Sequence, residues 1–207
     1  IYFSIFKNGI YKRQVLSQQN YSSETLPYKR GDILDRDGNT LATSQKMYTL
    51  VLEPKNILRS EEVQKATIDA LHKYMKLDED KLLKFIKRHK DSYYSVYREE
   101  LSYSQIADLK DFIASDKAEN VSGIVFNEKY KRRYPNQSLA SQVIGFISDG
   151  TIGTGGIEQY YNSTLSGVDG RKYKYLNEEL EQDSSIVEPE NGKTVVTTID
   201  SNIQKLA

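Results

Sequence analysis

The chain is 207 residues long, enough for one large domain or two small ones, and its 29 Lys and Arg balance 29 Asp and Glu. That neutrality leaves no net field to favour nucleic acid or an acidic polymer as partner. The absence of cysteine excludes disulfides, thiolate catalysis and cysteine-ligated metals, while 38% hydrophobic and 28% charged residues are an ordinary globular balance, with two subdomains expected.

The chain opens on the apolar stretch Ile1-Tyr2-Phe3-Ser4-Ile5-Phe6, far short of the roughly 20 apolar residues that cross a bilayer. It reads either as a segment next to a membrane anchor or as the start of a strand. Residues 6–25 are polar with loosely helical spacing, predicting a surface helix that runs into an extended segment ended by Pro27. Asp37-Gly38-Asn39 lies between Ile33-Leu34 and Leu41-Ala42, the signature of a tight hairpin. A strand at 48–52 follows, closed by Pro54.

Ser60, Asp78 and Ser102 each precede apolar residues at helical spacing and are expected to cap three helices. A strand at 93–98 separates the second helix from the third, so residues 54 to about 121 read as a mostly helical insertion. Strand character returns at 121–133. Beyond the Pro135-Asn136 turn come a short helix at 139–144 ended by Gly145, a glycine-rich loop at 150–156, a helix at 157–165 and a strand at 168–176. The acidic stretch 178–190 carries no predicted element. A strand at 194–198 follows the Asn191-Gly192 turn, and Asp200 caps a last helix.

Several short patterns imitate catalytic motifs. Ser4 and Lys7 have S-x-x-K spacing but lack downstream Ser-x-Asn and Lys-Thr-Gly elements, so the pattern is read as chance. Gly192-Lys193-Thr194 opens a strand rather than the helix of a phosphate loop. The glycines at 153, 155 and 156 precede a helix, but Glu158 would repel an anion there. Asp35, Asp37 and Asn39 alternate like a calcium loop without its glycine or closing acid, and His72 and His89 have no paired ligand spacing. No cofactor, metal or catalytic residue is therefore assigned. There remain Arg30, Asp35, Arg36, Arg132, Arg133 and Glu158, charges set among glycines and apolar residues. They are either unrelated surface groups or an Arg–carboxylate network joining distant segments.

Three ordered runs carry a family resemblance. Arg30-Gly31-Asp32-Ile33-Leu34-Asp35-Arg36-Asp37-Gly38 with Leu41-Ala42 resembles the R-G-x-I-x-D-R-x-G-x-x-L-A box of class B penicillin-binding proteins. Arg133-Tyr134-Pro135-Asn136 with Leu139-Ala140 and Gly145-Phe146 is similar to the second box, with Gln137 in place of its usual glycine. Gly153-Thr154-Gly155-Gly156-Ile157-Glu158 with Leu165-Ser166-Gly167 is similar to the third, and residues 192–204 to the strand and helix that lead into the transpeptidase domain.

The resemblance implies an α+β architecture: a discontinuous β-rich pedestal body at 1–53 and 122–197, an inserted, mostly helical head at 54–121, and a transpeptidase domain starting at 198–207. It implies a non-catalytic, extracytoplasmic module with a single membrane anchor before it, positioning a D,D-transpeptidase domain for peptidoglycan cross-linking. The implied partners are its own transpeptidase domain, a membrane-embedded glycosyltransferase or other divisome or elongasome proteins, and a second copy as a homodimer, with no nucleic acid. A self-contained extracellular adhesion or protein-interaction module is the alternative. Within the boxes, Gly31, Gly38, Gly153 and Gly156 are expected at turns or close approaches. Arg30, Asp35, Arg36, Arg133 and Glu158 are expected to form the network between boxes, with Arg36, Arg133 and Glu158 tying the three together.

Overall fold

The structure, a computed structural model, describes residues 22–136, 141–148, 152–176 and 182–206. The apolar opening, residues 6–21 of the expected surface helix and extended segment, the Ser4/Lys7 pair, Gln137 and Leu139-Ala140 lie outside the described residues. The described residues divide between Thr43 and Ser44, and again between Arg133 and Tyr134, into two compact units.

The first unit opens with β1 (Ser22–Leu26), β2 (Ile33–Leu34) and the first residues of β3 (Thr40–Leu52). The second unit takes the rest of β3 and adds α1 (Pro54–Ile57), α2 (Glu61–Met75), α3 (Glu79–Arg88), β4 (Ser95–Leu101), α4 (Tyr103–Ile113) and β5 (Ile124–Arg133). The chain then returns to the first unit with α5 (Ser141–Ile144), β6 (Phe146–Ser148), β7 (Ile152–Thr154), α6 (Gly156–Tyr160), α7 (Asn162–Leu165), β8 (Gly170–Leu176), β9 (Gln182–Val187), β10 (Val195–Val196) and α8 (Ser201–Leu206). Separate helices and largely antiparallel sheets make the fold α+β. Among the described residues no helix is long and apolar enough to cross a membrane.

In the second unit the helix starts follow local chemistry. Ser60 Oγ accepts from Val63 N at 3.2 Å and Asp78 Oδ1 from Lys81 N at 2.8 Å, each satisfying a helix-terminal donor. Ser102 N donates to Gln105 Oε1 at 2.9 Å. Both histidines serve helix ends: Nδ1–H of His72 donates to Leu77 O at 2.8 Å and that of His89 to Phe85 O at 2.9 Å. β3 lies between β4 and β5, and its residues from Met47 to Leu52 are all buried. Leu50 and Leu52 join Ile57, Leu71, Leu82, Ile86, Leu101, Ile106 and Leu109 in one cluster, with Ile124 and Phe126 of β5 packed against it. Each such side chain stabilises the unit by about 1.5–3 kcal/mol. The cluster draws the flanking strands β3 and β5 into one compact unit, Ser44–Arg133. The helices of the mostly helical stretch 54–121 bury their apolar stripes in this cluster, against the three strands β3, β4 and β5.

The core of the first unit is Ile33, Leu41, Ala42, Ile144 and Leu165, with Tyr134, Ile157, Val195 and Ile199 packed against it. β2 pairs antiparallel with the start of β3 and parallel with β10, Val195 opposite Ile33 and Val196 opposite Leu34. β6 and β7 form a hairpin, and β8 lies between β1 and β9. Two sequence expectations change here. The helix expected over 157–165 is two short helices that meet at Tyr161, whose carbonyl accepts from both Thr164 N and Leu165 N. The acidic stretch contains β9, whose strand conformation is imposed by pairing with β8 rather than by its own composition.

Candidate functional site

The hairpin turn of the first box is organised by one carboxylate. Asp35 Oδ1 accepts from Asp37 N at 2.9 Å and Asn39 N at 2.7 Å, while Oδ2 accepts from Asn39 Nδ2 at 2.9 Å and Ser201 Oγ at 2.5 Å. Gly38, at φ 85°, supplies the left-handed residue the turn requires. Asp35 is fully buried and its partners are neutral donors, so it does not join an arginine network. The hydrogen bond from Ser201, then that from Asn39, holds its carboxyl well below the ordinary 3.8, although burial acts the other way.

A carboxyl depressed in the folded state adds stability above its unfolded pKa and loses it as pH falls through the acid range toward the folded value. The gap in denaturation midpoint between the parent and Asp35→Asn is therefore expected to shrink steadily below pH 3.8. A gap that stays constant down to pH 2.5, on the order of a unit or more below the ordinary Asp pKa, would show that the carboxylate is not linked to folding.

Arg30, at the start of the same box, forms a buried ion pair. Arg30, 3% exposed, donates from Nε to Glu158 Oε2 at 2.9 Å, and Nη2 lies 2.9 Å from the same oxygen. Nη2 also donates to Glu158 O at 3.0 Å and Nη1 to Ser166 Oγ at 2.8 Å, while Tyr134 OH donates to Glu158 Oε1 at 3.3 Å. Glu158 sits in the first turn of α6 and is fully buried. The box glycines make this packing possible. A Cβ at Gly153 would collide with the carbonyl of Glu158, one at Gly156 with that of Val143, and one at Gly31 with that of Lys193.

Arg30 thus holds the place that sequence reasoning gave to Arg36 and Arg133 as partners of Glu158. Arg36 is 56% exposed in the turn, with Nη1 3.2 Å from Asp200 Oδ2. Arg133 donates from Nε to Gln45 Oε1 at 3.2 Å, and Arg132 from Nη1 to Ser44 Oγ at 3.2 Å, both within the second unit. Four partners escaped the sequence reading: Ser166, Tyr134, Ser201 and Asn39. Ser166 and Tyr134 stand inside the quoted boxes, but a hydroxyl carries no signal of what it will meet.

The segment leading to α8 is fastened along the first box. Lys29 N donates to Asn191 Oδ1 at 2.8 Å, Gly192 N to Lys29 O at 2.9 Å and Val195 N to Asp32 O at 2.9 Å. Thr197 donates from both N and Oγ1 to Leu34 O at 2.9 Å, and Arg36 N donates to Ile199 O at 3.0 Å. Gly31 N and Lys193 N donate to Leu165 O and Thr164 O of α7, so the Gly192-Lys193 amides are spent on the fold rather than free to cradle a phosphate. The amides of Gly153 and Gly155 likewise meet Asn162 Oδ1 and Gln159 Oε1, both at 3.1 Å. Among the described residues the Arg30 and Glu158 charges face one another, and the Asp35 carboxylate is occupied by donors of the turn and of Ser201.

Residues 25–197 match the family model described as the penicillin-binding protein dimerisation domain. The chain is 28% identical over 191 residues to "Probable peptidoglycan D,D-transpeptidase PenA" of Neisseria meningitidis, covering 89% of this chain and 31% of that protein. It is 27% identical over 195 residues to stage V sporulation protein D of Bacillus subtilis, covering 89% and 28%. Penicillin-binding protein 2X of Streptococcus thermophilus superposes with a TM-score of 0.68 at 25% identity, over 89% of this chain and 30% of that one. The chain therefore spans under a third of the length of these relatives. A match across three ordered boxes and both units places the chain in the penicillin-binding protein dimerisation domain family, the pedestal region of class B penicillin-binding proteins.

Proposed function

We propose that this chain is the non-catalytic pedestal of a peptidoglycan D,D-transpeptidase, and that it holds a catalytic domain entered at about residue 198 in position for cross-linking. The observation that carries this reading is the fastening of residues 191–199 along residues 29–36, which gives whatever follows α8 a stiff, defined point of departure. The relatives support it: they are about three times as long as the matched region, and one is named for the transpeptidase activity. Peptidoglycan lies outside the cytoplasmic membrane, so the module works on the extracytoplasmic side, with a single anchor before it. Its partners on this reading are its own transpeptidase domain, membrane-embedded glycosyltransferase or other cell-wall synthesis proteins, and a second copy of itself.

Fluorescent penicillin tests the division of labour. The full-length protein is expected to label covalently and residues 1–207 alone are not. Labelling of the isolated chain overturns the non-catalytic reading, and failure of the folded full-length protein to label overturns the transpeptidase reading.

A further inference from the structure

Asp35 binds two things at once. Three of its four donors come from the hairpin turn, and the fourth is Ser201 in the first turn of α8, 166 residues away in sequence. Both side chains are buried, Asp35 fully and Ser201 to 3% exposure. The neighbouring residues repeat the link: Arg36 N donates to Ile199 O, and Arg36 Nη1 reaches Asp200, whose Oδ1 accepts from Asn202 N and Ile203 N to cap α8. Residues 36–39 themselves are exposed. A buried carboxylate thus has one side on a solvent-facing turn and the other on the first turn of α8.

We infer that the exposed turn at residues 36–39 and the start of α8 are coupled through Asp35, so that a contact altering the turn redirects α8. A carboxylate oxygen shared by Asn39 Nδ2 and Ser201 Oγ keeps its place only while both donors hold it. Displacing Asn39 moves Oδ2 and weakens its hold on Ser201, and losing Ser201 leaves the same oxygen without one of its donors. Coupling of this kind is reciprocal. The consequence for a following catalytic domain rests on the function proposed above, but the test does not.

The absence of cysteine allows unambiguous spin labelling at Ile203→Cys and Tyr160→Cys, positions 63% and 81% exposed in the same unit. Electron–electron distance measurement on the parent chain is expected to give one narrow distribution. Asn39→Ala, a change confined to the turn, should raise the population at displaced distances by about tenfold, the scale of a lost hydrogen bond to a charged group. In the unlabelled chain, Ser201→Ala should speed amide exchange at Asp37 and Asn39 by about tenfold, while Gly31 N, which donates to Leu165 O, stays protected as the internal reference. Unchanged distances in Asn39→Ala, turn amides indifferent to Ser201→Ala, or equal acceleration at Gly31 would each overturn the coupling.

Discussion

Glu158→Ala is expected to destabilise the first unit by about 3–5 kcal/mol, because it leaves the Arg30 guanidinium buried without its counter-charge. The pair is 4% and 0% exposed, so water cannot replace the lost carboxylate without opening the core. Ser166 and the carbonyl of residue 158 remain as acceptors, but both are neutral. In a chain of this size the change should lower the thermal midpoint by roughly 10 °C. Arg30→Met with Glu158→Leu removes both charges at once and should recover much of the loss, since the penalty arises from the orphaned partner rather than from the missing attraction. A midpoint for Glu158→Ala within about 1 °C of the parent, well below the measurable effect of a buried-pair break, would show that the pair does not hold the unit together.

Gly31→Ala is the second large expected effect, and its cause is steric. The added Cβ collides with the main-chain carbonyl of Lys193, which cannot rotate away as a flexible side chain would. Moving that carbonyl disturbs the donation from Lys193 N to Thr164 O and the approach that lets Gly31 N reach Leu165 O. Overpacking and weakened hydrogen bonds together should cost about 2–4 kcal/mol, read as a fall in the urea midpoint at unchanged slope. Gly38→Ala is the control. No atom lies within reach of its Cβ, so only the left-handed backbone opposes it, at about 1 kcal/mol. Equal losses for the two variants would contradict the close approach of residues 31 and 193.

These two effects belong to different levels of legibility. Gly31 and Glu158 both stand in runs that resemble family boxes, and the sequence marked both. The collision partner of Gly31 was not marked, and Arg30 was marked as a member of the network without being singled out as the partner of Glu158. Arg36 and Arg133 looked as suitable as Arg30 because all three are arginines in the boxes. Burial separates them: Arg30 is enclosed, whereas Arg36 stands in an exposed turn and Arg133 is exposed on β5.

The same division runs through the fold. Capping at Ser60 and Asp78, the turn at Gly38 and the end of α5 before Gly145 were determined by the sequence alone, since each rests on groups within four residues of one another. Family membership was also legible there, because three ordered boxes need no structure to be read. Tertiary structure alone decided that β9 is a strand, that the second unit begins at Ser44, that Arg30 rather than Arg36 or Arg133 pairs with Glu158, and that Asp35 serves Ser201 instead of an arginine. Those outcomes depend on groups brought together from up to 166 residues apart. Which of several chemically equivalent side chains is buried there follows from packing the core, and no local pattern encodes it.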